Sequence, residues 1–129
     1  MKMENIENIL KSYLAPIAQF TILFGSFVTD RFNDRSDIDC AVFFDNKLSF
    51  EDRTRITGEL EDIVGREIDL ICLNQDDIII TMQALANGKV LFVHDICLYH
   101  LYKARKITEY LDFKLSRKII EDALLGRVA

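Results

Sequence analysis

Asp37 and Asp39 stand two residues apart at the start of an apolar run, and Gly25-Ser26 closes an earlier run with ten residues between Ser26 and Asp37. Carboxylates at i and i+2 of a strand project from the same sheet face, close enough to share metal ions. A Gly-Ser turn that opens a helix offers backbone N–H groups, room for close approach and a hydroxyl donor, which together suit a polyphosphate. A third acid, Asp69, sits inside Ile68-Asp69-Leu70-Ile71-Cys72. A charge among such neighbours is costly unless a cation or partner compensates it. Phosphate cradle, metal-binding carboxylates and a candidate general base are the parts that nucleotidyl transfer needs.

These residues must be held by a sheet. Ile6, Ile9, Leu10, Tyr13, Leu14 and Ile17 recur at helical spacing and predict an opening amphipathic helix that ends near Pro16. Residues 20–24 read as a buried strand, 26–33 as a short helix and polar loop, and 38–45 as a second strand. Ser49 with Asp52 predicts a capped helix that runs to Gly65. Residues 67–73 form a third strand, Asn74 caps a further helix that ends at Gly88, and 89–93 form a fourth strand. From Asp95 the pattern is helical, with a break expected around 113–116. The expected architecture is α+β with an α/β-like order: a small mixed sheet flanked by helices, in one domain over residues 1–129, with a core at about 18–94 and C-terminal helices at about 95–129.

Composition narrows the function classes. Half of the 129 residues are hydrophobic, 29% are charged and the net charge is −5. That balance disfavours direct binding to nucleic acid, but not to a nucleotide whose charge is met by metal ions. No apolar run has membrane-spanning length, so a cytoplasmic protein without membrane contact is expected. Cys40, Cys72 and Cys97 lie among apolar neighbours without zinc spacing and read as buried free thiols. His94 and His100 accompany no nucleophile motif and read as structural. The aromatic and basic residues from Tyr99 to Phe113 fit either core packing or a contact with a base or partner.

The run FGSFVTDRFNDRSDIDCAVFF, with a third acid on a later strand, resembles the nucleotidyltransferase superfamily related to DNA polymerase beta. The short chain looks like its minimal nucleotidyltransferases (MNT proteins), and Glu109-Tyr110-Leu111-Asp112-Phe113 resembles a recurrent C-terminal stretch of that subfamily. The resemblance implies the polymerase beta-like fold, triphosphate binding at Gly25 and Ser26, and metal binding at Asp37, Asp39 and Asp69, with two Mg²⁺ ions and ATP as substrate. It also implies an antitoxin that attaches AMP to a tyrosine of a partner HEPN-domain ribonuclease toxin.

Many relatives carry Arg directly after Gly-Ser and Gly three residues further on, where this chain has Phe27 and Asp30. Arg35, with Arg31, is the candidate replacement contact to the nucleotide. A non-catalytic toxin-binding antitoxin and a transferase acting on a small aminoglycoside-like molecule are the alternative readings. The toxin role itself does not fit: His100-Leu101-Tyr102 matches part of the Arg-x4-His-x-Tyr motif, but Asp95 occupies the arginine position.

Overall fold

The computed structural model describes residues 3–25, 37–75 and 77–126. Eight elements follow in the order α1 (Met3–Leu14), β1 (Ala18–Phe24), β2 (Ile38–Phe44), α2 (Phe50–Val64), β3 (Ile68–Cys72), α3 (Ile78–Asn87), β4 (Lys89–Val93) and α4 (Ile96–Leu124). The short helix and loop expected over 26–33 lie outside the described residues.

Strand alternation divides the core in two. On β2, Ile38, Cys40, Val42 and Phe44 face one side, where Ile6, Leu10 and Leu14 of α1 and Ile56, Leu60 and Val64 of α2 close over them. Ala41 faces the other side with Phe20, Ile22, Phe24, Ile71 and Leu73, and is covered by Ala84 and Leu85 of α3 and Tyr99 of α4. The sheet is therefore sandwiched, which explains the nearly continuous apolar runs of β1 and β2.

The sheet order is β3-β2-β1-β4. β1 is antiparallel to both β2 and β4, while β2 and β3 are parallel and joined through α2. The mixed sheet expected from sequence is thus observed, and its one parallel pair is the one that carries the acids.

Local signals account for most boundaries. Ser49 Oγ accepts the Asp52 N–H at 3.1 Å to start α2, and Gly65 ends it in the left-handed region at φ 76°. The start of α3 differs from expectation. Asp77 is its N-cap and accepts the Ile79 N–H at 2.6 Å. Asn74 instead bridges β2: its Nδ2 donates to the Phe44 carbonyl at 3.0 Å, and its Oδ1 accepts the Phe44 N–H at 2.8 Å. This amide copies a strand's donor–acceptor pair and carries the β2–β3 pairing past the end of β3.

α4 also departs from expectation, because it runs unbroken through 113–116. No Gly or Pro occurs in it, and a single Ser is too weak a breaker to interrupt a run of Leu, Lys, Arg and Ile. Its first turns are anchored by an aromatic cluster in which Phe20 meets Phe43, Tyr99 and Tyr102 with centroids 5.0–5.3 Å apart. Tyr102 also donates to the Leu73 carbonyl at 2.8 Å.

Cys40 and Cys72 are buried as expected, but Cys97 is exposed because it lies on the outer side of α4. Among the described residues, no helix is long and apolar enough to cross a membrane.

Candidate active site

The parallel register of β2 and β3 pairs Asp39 with Asp69 directly. Side chains opposite one another in adjacent strands share a face, so residues thirty apart in sequence become neighbours. Asp37 immediately precedes β2 and is exposed, two residues before Asp39. On the other flank of β2, Phe24 pairs with Asp39, which sets Gly25 beside the same carboxylate.

Gly25 adopts φ +74°, and a Cβ added there would lie 2.0 Å from Asp39 Oδ2 and 3.1 Å from its Cγ. Glycine is thus required twice, for the left-handed turn and for clearance of the acid. The phosphate-cradle reading of Gly25 did not foresee this second role. Only the strand register exposes it.

Asp39 is held above the ordinary carboxylate range. Partial burial is the largest cause, followed by the charges of Asp69 and Asp37 and by a side-chain hydrogen bond with Asp69. Asp39 is half-buried, whereas Asp69 is exposed. Repulsion of this kind identifies a site that lacks neutralising charge. Three carboxylates meet that need with hard oxygen donors of the type that Mg²⁺ prefers, so the residues fit a divalent cation. They do not form a closed ligand set as they stand: among the described residues, no three His, Cys, Asp or Glu side chains converge on one point. Asp39 and Asp69 touch, while Asp37 acts on Asp39 through its charge.

The exposure of Asp69 corrects one expectation. Its apolar neighbours in sequence do not enclose it, because Ile68, Leu70 and Cys72 pack under α2 while Asp69 lies on the opposite face, ahead of Ile71 and Leu73.

β3 is an edge strand, and α2 secures its outer backbone at two points. Glu61 Oε2 accepts the Ile68 N–H at 3.0 Å, and Arg53 Nη2 donates to the Leu70 carbonyl at 2.7 Å. These two contacts bracket Asp69 and fix the strand that presents it. Sequence reading named neither residue. Their eight-residue separation, two helical turns, was the available signal.

The remaining sequence-predicted residues stand apart from this cluster. Ser26 and Arg35, together with Phe27, Asp30 and Arg31, lie outside the described residues. His94 bonds through Nε2 to the Ala15 carbonyl at 2.7 Å, and His100 is exposed on α4. Cys40 is fully enclosed beside Asp39, and burial pushes its thiol up to about 12. A cavity of about 680 Å³ lined by Phe43, Leu73, Leu101 and Tyr102 lies at the opposite end of the same sheet face. Phe43 is four residues beyond Asp39 on β2, about 13 Å along the strand.

An antiparallel β1–β2 pair with a glycine turn against a strand carboxylate, and a parallel neighbour supplying a second acid, is an arrangement suited to phosphoryl chemistry. Residues 4–97 match the family model "Polymerase beta, Nucleotidyltransferase", and the chain belongs to that family.

The chain is also similar to "Putative protein adenylyltransferase MJ0435" of Methanocaldococcus jannaschii, at 36% identity over 52 residues. That stretch is 40% of this chain and 56% of the length of that protein. Among solved structures, it is similar to one chain of a toxin-antitoxin crystallised with AMP-PNP, at 25% identity and TM-score 0.81, covering 92% of this chain and 98% of that one. It also has the fold of a chain in the complex of a tri-AMPylated Shewanella oneidensis HEPN toxin with an MNT antitoxin, at 24% identity and TM-score 0.79, covering 96% and 99%.

Proposed function

We propose that this chain is an antitoxin nucleotidyltransferase that moves AMP from Mg²⁺-ATP to a tyrosine hydroxyl of a partner HEPN toxin and thereby silences it. The observation that carries this reading is the Asp39–Asp69 contact across the parallel strands, with Gly25 packed against it. It is supported by membership of the nucleotidyltransferase family and by similarity to a protein adenylyltransferase and to toxin–antitoxin structures. We assign the protein to the cytoplasm, where ATP and such a toxin would be met.

In the reaction, the acceptor oxygen attacks the α-phosphorus. The bond from that phosphorus to the bridging oxygen of pyrophosphate breaks, and pyrophosphate leaves with the electron pair. Asp37, Asp39 and Asp69 would hold the divalent cations, which when bound supply positive charge for the triphosphate and the leaving group. Gly25, having no Cβ, leaves the Asp39 carboxylate room that any other residue at this position would fill. Ser26 and Arg35 are assigned to the phosphates. Asp69, the exposed acid of the pair, is assigned to accept the proton from an incoming hydroxyl.

The test is to incubate the protein with α-labelled ATP, Mg²⁺ and its HEPN partner. Label should appear on the partner and be lost with Asp39→Ala. Equal labelling by Asp39→Ala would overturn the assignment of the site. Full neutralisation of the toxin in cells by an Asp37→Ala, Asp39→Ala double variant would favour a binding-only antitoxin.

A further inference from the structure

α4 is longer than the sheet domain requires. Its 29 residues extend about 43 Å, yet Tyr99 is its one buried residue. The family match ends at Cys97, in the first turn of α4, so most of the helix lies outside the matched residues. The toxin-antitoxin chain crystallised with AMP-PNP nevertheless covers 92% of this chain, which leaves about ten residues unmatched and so retains much of α4.

Along the outer side of the helix, Leu101, Leu111, Leu115 and Ile119 are each 58–61% exposed. Ala104 and Thr108 fill the intervening turns, so apolar or small residues recur at steps of three or four, the spacing of a helix-packing seam. The seam spans about 27 Å. At its start, Leu101 also lines the 680 Å³ cavity with Phe43 and Tyr102, a pocket able to receive a bulky side chain.

Charge indicates the occupant. α4 holds six Lys or Arg against four Asp or Glu, a local balance of +2 on a chain of net charge −5. Arg105 lies on one side of the seam, Lys114 and Lys118 on the other, with Asp112 and Asp122 interspersed. Both signs occur, but the excess is positive, so two copies of this helix would meet with net repulsion. An acidic partner would not.

We propose that the outer seam of α4 is the docking surface for an amphipathic helix of the HEPN partner, one with apolar residues at the same spacing and acids flanking them. The proposal rests on the function proposed above and assigns to α4 a grip separate from the chemistry at Asp39 and Asp69. The partner is held at the seam while its acceptor hydroxyl reaches the acids.

The experiment measures binding of the HEPN partner by calorimetry, with labelling kinetics alongside. Leu111→Glu with Leu115→Glu is expected to weaken binding at least tenfold and to raise KM for the partner with kcat retained, whereas Asp39→Asn should bind like the parent chain. Circular dichroism checks the helix, and Leu111→Ala with Leu115→Ala provides a milder pair with the same direction of effect. Undiminished binding by both pairs would overturn the proposal. So would a self-associated parent chain that the Glu pair renders monomeric while partner binding stays unchanged. If the parent chain binds the partner without labelling it, the transfer reaction fails while the docking surface is still decided by the same titration.

Discussion

At the scale of single residues, the site depends on one clearance and one proton. Gly25→Ala should reduce AMP transfer by at least about 100-fold, because its Cβ would lie 2.0 Å from Asp39 Oδ2 and a displacement of order 1 Å at a reacting centre has that consequence. Steady-state labelling would measure it. Asp39 makes a prediction about pH. Its folded-state pKa is raised, so the folded protein binds this proton more tightly than the unfolded chain does. The stability it contributes is complete below the ordinary aspartate value and is lost as pH rises through the raised one. In metal-free buffer at neutral pH, Asp39→Asn should therefore melt at a higher temperature than the parent, with the gap closing on acidification. Mg²⁺ should raise the melting temperature of the parent more than that of the variant. Thermal denaturation with and without chelator reads both effects. The acids were legible from sequence by type and spacing. The role of Gly25 in making room for Asp39 was not, because it depends on which residue of β1 pairs with which residue of β2.

At the scale of elements, the critical strand is β3. Its pairing with β2 brings Asp69 to Asp39, and its outer backbone is held by Arg53 and Glu61 of α2. Hydrogen bonds to charged side chains contribute about 1.5–3 kcal/mol, so Arg53→Ala or Glu61→Ala should each destabilise the fold by about that amount in chemical denaturation. Transfer should also slow, since both contacts bracket the strand that presents an acid. Strand and helix positions followed from apolar period, glycine stops and the Ser49 cap. Two details did not. Asn74 has the side chain of an N-cap, but its amide is used on the Phe44 backbone once β3 lies beside β2, and Asp77 starts the helix instead. The expected break in α4 relied on weak propensities that intact helical hydrogen bonding overrides.

At the scale of the whole molecule, the sandwiched sheet determines which groups meet solvent. Cys40 and Cys72 are sealed between the sheet and α1 and α2, and Cys97 lies open on α4. A thiol reagent should modify one cysteine per native chain and all three after unfolding, a count that absorbance titration gives directly. The same layering explains why Asp69 is exposed despite its apolar sequence neighbours: alternate residues of an edge strand serve different layers. It also explains the apolar seam of α4, because a helix this long outruns the sheet face that buries its first turns.

The sequence by itself determined the inventory: the Gly-Ser pair, two acids on strands and a third just before one, the order of elements, and the family those features resemble. These are local, being set by residue type, by periods of two and 3.6, and by caps and stops a few residues long. Tertiary structure decided adjacency. It made β2 and β3 parallel neighbours in the register that joins Asp39 to Asp69, pressed Gly25 against Asp39, and left half of α4 without a covering layer. Register and layer coverage depend on contacts between residues far apart in the chain, and no short stretch of sequence contains them.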